Sequence, residues 1–139
     1  MYGTLDISTS ALVAQRRQLD TISGNIANMH ATRDANGQPN PYRRRVALFA
    51  TGDPSRGRGA PGVHVARIVN DPSPCHLKFD PDHPDAVMAG PQKGYVRLPN
   101  VDLSTEMVNA LFAVRAYEAN VTVMEITKSM AASDLRLLA

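Results

Sequence analysis

The sequence contains no tryptophan, a single cysteine and only 5% aromatic residues. One cysteine cannot form a disulfide within the chain, and Cys75 has no evident base partner, so an inert thiol is the simpler interpretation. A formal net charge of +2 over 139 residues is too small to indicate a nucleic acid or an anionic membrane as partner. The composition therefore permits one ordinary globular domain with a hydrophobic core.

Two targeting features are also missing. Residues 1–5 lack the basic and continuous apolar regions of a cleaved signal peptide. The longest apolar run is interrupted by Arg115, Glu118 and Glu125 before it reaches the roughly 18 residues of a membrane span. We therefore expect neither Sec-type export nor a membrane span.

Residues 104–138, near the end of the chain, include neither proline nor glycine. Between Met107 and Ile126, 14 of 20 residues are apolar. Steps of three and four residues give a heptad stripe consisting of Met107, Ala110, Val114, Tyr117, Val121, Met124, Lys128, Ala131, Leu135 and Leu138. The β-branched segment 121–123 would suit a strand, but about 35 residues without a breaker favour a helix roughly 50 Å long. Asp102 or Ser104 could cap its start, and a helix of this length needs a partner.

Residues 5–29 repeat the three-four pattern. Their stripe consists of Leu5, Ser8, Leu12, Gln15, Leu19, Ile22, Ile26 and Met29. Asp6 or Ser8 could cap this helix, and Gly24 within it costs about 1 kcal/mol relative to alanine, so we expect a close helix contact at the glycine. We predict that residues 1–30 and 103–139 form one helical core, paired as a coiled-coil-like hairpin.

The composition changes abruptly between Ala31 and Asp102. This segment holds all 10 prolines, 7 of the 9 glycines and 10 of the 15 Lys and Arg residues. Short strands are predicted at 42–50, 62–69, 76–79 and 94–98, with turns at 36–37 and 53–54, while two prolines prevent a helix across 71–74. The sequence therefore predicts a mainly α fold in which residues 31–102 form a small, loop-rich β insertion at one end of the helical pair.

The segment 80–85, Asp-Pro-Asp-His-Pro-Asp, could suggest a metal site or an acid/base pair. It lacks the glycine and the distal glutamate of an EF-hand, and the sequence has no helical His-Glu-x-x-His motif. Two prolines favour a rigid turn whose aspartates accept turn hydrogen bonds. We predict no cofactor and no catalytic residue, and a small metal-dependent hydrolase that uses Asp80 and His83 is the weakest of three hypotheses.

A basic set surrounds the first predicted strand. It consists of Arg43, Arg44, Arg45, Arg56, Arg58, Arg67 and Arg97. In a strand Arg43 and Arg45 share one face and Arg44 opposes them. Because aromatic residues are sparse nearby, the set does not indicate nucleic acid, and a solvated strand face or ion pairs with a neighbouring protein fit it as well.

The C-terminal helix is apolar on more than one face. The residues that lie largely off the Met107–Val114–Val121 seam are Val108, Leu111, Phe112, Ala113, Ala119 and Val123. One partner helix covers one stripe, so the remainder should be buried by other chains. Six such side chains would contribute on the order of 10 to 20 kcal/mol, which is comparable with the cost of association. A head-to-tail contact of this kind that does not close makes an open helical array.

Several motifs resemble the axial proteins of the bacterial flagellum. They are Ile-Ser-Gly-Asn-Ile-Ala-Asn at 22–28 with Thr32, Tyr-Arg-Arg at 42–44 with Phe49, Asp-Pro-Ser-Pro at 71–74, the 80–86 segment, Gly-Tyr-Val at 94–96, Pro-Asn-Val at 99–101, Glu-Met-Val at 106–108 and Arg-Ala-Tyr-Glu-Ala-Asn-Val at 115–121. The Asn-Ile-Ala-Asn element is shared by several rod and hook proteins, whereas the His-Pro-Asp and Tyr-Glu-Ala-Asn-Val segments are similar to the proximal rod members. The resemblance covers almost the whole chain, although 87–93 is longer than the family pattern.

The resemblance implies a structural subunit without catalysis. Its paired terminal helices would form the inner wall of a hollow rod that transmits torque and passes exported subunits. The implied partners are other copies of the chain, other rod proteins, the base adaptor and the export apparatus in transit, with no nucleic acid. The implied location is the rod within the periplasm, reached through the flagellar type III apparatus without signal cleavage, and the termini would be loose until assembly.

The resemblance also implies roles for individual residues. Those expected at subunit interfaces or in helix packing are Leu12, Leu19, Ile22, Asn25, Ile26, Asn28, Met107, Leu111, Val114, Tyr117, Asn120, Val121 and Met124. Arg43, Arg44 and Arg45 would form ion pairs between proteins. Replacing Val121 or Ile22 by aspartate should abolish rod assembly while export persists.

A soluble helical adaptor or export chaperone is the second hypothesis. Such a protein would be folded and dimeric by itself, whereas a rod subunit should show a weak helical signal until it polymerises. Circular dichroism of the dilute chain separates these two hypotheses, and metal analysis of the purified protein tests the hydrolase.

Overall fold

A computed structural model describes residues 2–52, 57 and 60–138 of the chain. Along this part the elements are helix α1 (Tyr2–Ala27), strands β1 (Arg45–Thr51), β2 (Val63–Asn70), β3 (His76–Phe79) and β4 (Tyr95–Leu98), and helix α2 (Leu103–Leu138). The predicted fold, with two long terminal helices and a small β insertion between them, is confirmed.

Helix α1 begins before the predicted position. Gly3 and Thr4 are already helical, so the prediction that Asp6 or Ser8 caps this helix is wrong, and Ser8 is a buried interior residue. At the other end the backbone N–H and the side-chain Nδ2 of Asn28 both donate to the Gly24 carbonyl, at 3.2 and 2.8 Å. The asparagine side chain thereby satisfies a carbonyl of the last turn, and the helix stops at Ala27.

Helix α2 begins at a local cap. The Asp102 carboxylate accepts hydrogen bonds from the Thr105 backbone N–H at 2.9 Å and from the Thr105 hydroxyl at 2.6 Å. These bonds lower the pKa of Asp102. Asp102 is therefore the N-cap, one of the two residues predicted for this role, and 36 residues without a breaker carry the helix for about 54 Å.

The two helices are antiparallel. Asn25 meets Glu106 near the end of α1, and ten residues earlier Gln15 meets Asn120, with Nδ2–Oε distances of 2.9 and 3.4 Å. Counted from the Asn25–Glu106 contact, α2 continues about 13 Å further than α1 does. The distal end of α2 therefore has no partner in α1.

The β1–β2 hairpin lies along the flank of α1. Its antiparallel register pairs Arg45 with Asn70 and Thr51 with Val63, with a bulge between Leu48 and Phe49. The backbone of Arg45 contacts Asn25, and the Val63 N–H donates to Ser10 Oγ at 3.0 Å. A seven-residue strand spans about 23 Å, close to the roughly 22 Å of α1 between these two contacts. The expectation that the whole β insertion sits at one end of the helical pair is therefore wrong for this hairpin.

The second sheet pairs β3 with β4, from His76 opposite Leu98 to Phe79 opposite Tyr95. The two aromatic rings meet edge to face with centroids 5.2 Å apart. Gly94 has a positive φ of 80°, and a Cβ there would lie 2.9 Å from the Phe79 ring, so both backbone and packing require glycine. All four strands lie close to their predicted positions, and the predicted 36–37 turn is present with Gly37 at φ 76°. The predicted 53–54 turn lies outside the described residues.

Candidate assembly surface and its polar junction

Small residues line the seam between α1 and α2. Ala14 and Ala113 are 1% and 2% exposed, and Ala11 is also buried. The predicted α2 seam is one position off at Met107, Val114 and Tyr117, which are exposed, whereas Val121 and Met124 farther along it are half-buried. Met107 is 60% exposed while its neighbour Glu106 is fully buried. Hydrogen bonds that draw Glu106 inward rotate α2 so that Ala113, rather than Val114, faces the interior. Helices in contact through alanines can approach more closely than helices in contact through valines.

Gly24 of α1 is not part of this seam. A Cβ at Gly24 would meet nothing within 4 Å. The expected close helix contact at Gly24 is therefore not made within the described chain, because the adjacent Asn25 is the residue that turns toward α2.

The predicted interface residues fall into two groups. The N-terminal group, Leu12, Leu19, Ile22, Asn25, Ile26 and Asn28, is buried or half-buried, as are Asn120, Val121 and Met124 on α2. The remaining four, Met107, Leu111, Val114 and Tyr117, are exposed. Their contribution to contacts between subunits stays a prediction.

Glu106 is the centre of a polar junction where both helices meet the β insertion. Its Oε1 accepts hydrogen bonds from Arg44 Nε and Nη2, both at 2.8 Å, and its Oε2 accepts one from Asn25 Nδ2 at 2.9 Å. The carboxylate is 0% exposed. A buried charge is stable only with such partners, because both oxygens have lost water.

The side-chain amide of Asn25 forms the same pair of hydrogen bonds that the backbone of a neighbouring strand would form. Its Oδ1 accepts from the Arg45 N–H at 2.9 Å and from the Tyr42 hydroxyl at 3.0 Å. Its Nδ2 donates to the Arg45 carbonyl at 2.9 Å as well as to Glu106. The amide thus pairs with both backbone groups of Arg45 at the start of β1, and its hydrogen-bonding capacity is filled.

Arg44 extends the junction to the segment after β2. Its Nη1 pairs with Asp71 Oδ2 at 3.1 Å, and its backbone N–H donates to Asn100 Oδ1 at 2.9 Å. Burial lowers the pKa of Arg44, but hydrogen bonds to Glu106 and Asp71 outweigh that effect and leave it raised. The Ser73 hydroxyl and N–H, followed by Arg44, lower the pKa of Asp71 to about 2. Asn100 also donates to the carbonyls of Asp71 and Ser73, which joins the entry to α2 to the same centre.

The three consecutive arginines have different surroundings. Arg44 uses its charge within the chain, where the sequence predicts an ion pair between proteins. Arg43 donates to the Ser73 carbonyl at 2.7 Å, and the Arg45 guanidinium lies 5.5 Å from the centre of the Tyr42 ring. Arg43 and Arg45 are exposed and form no ion pair with any described residue, so for these two the prediction stays a prediction. Arg56 and Arg58 lie outside the described residues.

The segment 80–85 forms a turn that is tied to the link after α1. Arg33 Nη2 pairs with Asp85 Oδ1 at 2.7 Å, and the Thr32 hydroxyl donates to Asp85 Oδ2 at 2.8 Å. These contacts lower the pKa of Asp85, and the Asp85 N–H donates to His83 Nδ1 at 3.0 Å. Among the described residues, no three His, Cys, Asp or Glu side chains are grouped to hold a metal ion.

Neither described helix is both long and apolar enough to span a membrane.

Much of α2 is apolar and uncovered. Among its side chains up to residue 136, the exposed large apolar ones are Met107, Val108, Leu111, Phe112, Val114, Tyr117, Val123, Ile126, Met130 and Leu135. One line along the helix, which we call the outer stripe, contains Val108, Phe112, Ala119, Val123, Ile126 and Met130, at spacings of four, seven, four, three and four residues, with Arg115 in the longest gap. An exposed apolar surface of this length on a small domain marks a site of contact with other protein.

Sequence reasoning missed the junction. Glu106 stands inside one of the family-like motifs, but nothing local to it indicates burial, and its partner Arg44 is 62 residues away. Asn100 lies in the Pro-Asn-Val motif and Asp71 in the Asp-Pro-Ser-Pro motif, and the sequence predicted no role for either. The one available signal was an acidic residue on the first turn of a helix that has alanines at 110 and 113 on the same side.

Comparison with known protein families gives two matches. A model described as "Flagella basal body rod protein" matches residues 5–33, and one described as "Flagellar basal body rod FlgEFG protein C-terminal" matches residues 92–137. The matched ranges contain most of α1 and nearly all of α2. The helical pair is thus the part that the chain shares with these families.

Curated relatives match over nearly their whole length. The chain is 43% identical to the flagellar basal-body rod protein FlgC of Borreliella burgdorferi, with 99% of this chain and 97% of the relative covered. It is 40% identical to FlgC of Bacillus subtilis, covering 98% and 97%, and 38% identical to FlgC of Salmonella typhimurium, covering 99% and 97%. These similarities confirm the resemblance to flagellar axial proteins. The chain therefore belongs to the FlgC family of flagellar basal-body rod proteins and is a structural subunit of the rod.

Proposed function

We propose that this chain is a non-catalytic subunit of the proximal rod that assembles through the uncovered surface of α2. The observation that carries the proposal is that surface itself. Ten large apolar side chains, each between 38% and 69% exposed, lie on a helix whose opposite side is already packed. A rod subunit in contact with several neighbours would remove this surface from water.

The energy of this burial suits an assembly with many contacts. Covering what remains exposed on ten such side chains contributes on the order of 10 kcal/mol. Association costs an estimated 4 to 15 kcal/mol, so a single pairwise contact is marginal. Several neighbours that pack on one subunit at once make the assembled state stable.

The finer features of the proposal follow from family membership. The partners are copies of this chain, the adjoining rod proteins and the base adaptor, and the helices form the inner wall of a tube that transmits torque and passes exported subunits. The chain reaches the periplasm through the flagellar type III apparatus without signal cleavage. Membership of the FlgC family supports each of these points.

Aspartate substitutions on the uncovered surface test the proposal. Phe112→Asp and Val123→Asp should leave the chain exported but absent from purified basal bodies, and cells that carry only these variants should not swim. Ile22→Asp is a weaker test than the sequence predicts, because Ile22 is buried within the chain and its replacement also disturbs folding. Ser104→Asp is the control, since it adds the same charge at an exposed position near the start of α2, where the helix dipole favours it. Normal swimming of the Phe112→Asp strain would contradict the proposal.

The isolated chain provides a second test. Its helical signal should fall below that of 62 helical residues, because the distal half of α2 lacks its neighbours, and it should rise on assembly. A fully helical dimer in dilute solution would favour an adaptor or chaperone instead. Stoichiometric metal in the purified protein would favour the hydrolase.

A further inference from the structure

No feature of the described chain requires a glycine at position 24. Glycine is less favourable than alanine inside a helix, and it is normally required by a positive φ or by a close neighbour. Gly24 is not among the glycines with positive φ, and a Cβ there would meet nothing within 4 Å. Its position in the helical interior is therefore unexplained by the described chain alone.

Gly24 lies in a groove between α1 and the start of the β insertion. The groove, which we call the Gly24 groove, has a volume of about 310 Å³ and is lined by Arg17, Asp20 and Gly24 from α1 and by Tyr42, Arg45 and Ile68 from the other side. Val13, Arg17, Asp20 and Gly24 are spaced by four, three and four residues, so they share one side of α1. Val13 and Ile68 are 56% and 50% exposed. The groove thus combines uncovered apolar surface with two guanidinium groups.

The charges on the groove are available to an outside partner. Arg17 and Arg45 form no ion pair with any described residue. Asp20 offsets one of them, so the rim carries a net positive charge. A fitting partner is an apolar helix face with acidic residues beside it.

The outer stripe of α2 has this chemistry. It is apolar from Val108 to Phe112 and from Ala119 to Met130, and it has a small residue, Ala119, near its middle, but one charged residue, Arg115, interrupts it. Glu118 and Glu125 lie seven residues apart on the flank of the helix next to Arg115, roughly 100° around the axis from the stripe. Glu118 forms an exposed i,i+3 pair with Arg115, and Glu125 forms no ion pair among the described residues. Two helices approach to a distance set by the side chains between them, so a glycine facing an alanine allows a close crossing.

We propose that the Gly24 groove of one copy receives the outer stripe of α2 from a second copy, with its acidic border beside Arg17 and Arg45. This inference rests on the proposed assembly function. Because the groove and the stripe are different surfaces of the chain, the contact is head-to-tail. Head-to-tail contacts produce a ring or an open helical array rather than a closed dimer.

A series of substitutions at Gly24 separates folding from assembly. In the isolated full-length chain, Gly24→Ala should unfold at a higher temperature than the parent, because alanine favours the helix and the space is empty. Gly24→Leu should fold but be reduced at least tenfold in purified basal bodies, since its side chain fills the groove. Gly3→Leu is the matched control: it makes the same change in the same helix, where a Cβ also meets nothing, and should leave incorporation unchanged. Parental incorporation of Gly24→Leu would overturn the proposal.

Cysteine cross-linking identifies the occupant. In a Cys75→Ser background, chains carrying Asp20→Cys are co-expressed with chains carrying Phe112→Cys, Ala119→Cys or Ile126→Cys, and basal bodies are oxidised. At least one pairing should yield a disulfide-linked dimer that neither variant yields alone. A dimer from Asp20→Cys alone would indicate a symmetric contact, and a cross-link to a different protein would indicate another occupant. Either result, or no cross-link at all, overturns the proposal.

The same preparations distinguish this inference from the proposed function. If the cysteine variants are present in basal bodies without a cross-link, the chain is a rod subunit and only the groove contact is wrong. If parent and variants are both absent from basal bodies, the proposed function itself fails.

Discussion

Replacing Glu106 by alanine should destabilise the chain more than the same change at any other charged residue of α2. The substitution leaves Arg44 half-buried with only Asp71 as a charged partner, and it removes the acceptor of one Asn25 N–H. Removing one partner of a buried ion pair typically costs about 3 to 5 kcal/mol. At about 2.1 cal/mol/K of unfolding entropy per residue, this corresponds to a decrease in Tm of roughly 10 to 17 °C for a chain of 139 residues.

Thermal unfolding of the purified full-length chain, followed by circular dichroism, measures this decrease. Glu118→Ala is the matched control, because it removes the same side chain from the same helix at an exposed ion pair with Arg115 that contributes at most about 1 kcal/mol. Glu106→Gln should fall between the two, since the amide keeps an acceptor for Asn25 or Arg44 but loses the charge. If Glu106→Ala and Glu118→Ala unfolded within a few degrees of each other, the junction would not stabilise the fold as argued.

Three further predictions concern the same architecture. Asn25→Asp should lower the free energy of unfolding by about 3 kcal/mol or more, because a second carboxylate would face Glu106 and the donor to the Arg45 carbonyl would be lost. Asn28→Ala should lower it by about 1 kcal/mol, and denaturant titration compares the two variants. The pKa values of Asp71, Asp85 and Asp102 are lower in the folded chain than in the unfolded chain, so their stabilising contribution is complete above about pH 5 and is lost as the pH falls from about 4 toward 2. The Tm difference between the parent and Asp71→Asn should accordingly shrink between pH 7 and pH 2.5, and a constant difference would contradict the assignment. Backbone amides of α2 beyond residue 131 should exchange with solvent much faster than those of 106–120, because residues 132–136 are exposed and extend past α1, and uniform exchange along the helix would refute this.

The local sequence pattern was sufficient to predict where helices and strands lie, but not which side of α2 faces the interior. The three-four spacing and the missing breakers predicted α2, and Asp102 was recognisable as a cap because its hydrogen bonds reach only three residues ahead. The first half of the α2 seam was placed one residue away from its true position because the predicted stripe began at Met107 instead of Glu106. The burial of Glu106 depends on Arg44 and Asn25, which are 62 and 81 residues away in the sequence. Hydrophobic periodicity compares only residues that are close in sequence, so it cannot reveal contacts at these separations.

The position of the β1–β2 hairpin shows the same limit. Its strands were predicted from β-branched residues and turn signals, but its place along α1 is set by contacts from Arg45 to Asn25 and from Val63 to Ser10. A single asparagine amide and a single serine hydroxyl determine this placement. The outer surface of α2, by contrast, was predictable, because a helix apolar on several sides must leave some of them uncovered by one partner.

The pairing of Asn25 with Glu106 also determines when the buried junction can form during synthesis of the chain. A ribosome supplies the amino-terminal helix first, and the acid that completes its buried contact is synthesised 81 residues later. Until then the first helix has neither its antiparallel mate nor the guanidinium bridge that joins the strands to both. The buried junction therefore cannot form until about three quarters of the chain has been synthesised, whereas the contacts of α1 with the β1–β2 hairpin need only residues up to Asn70.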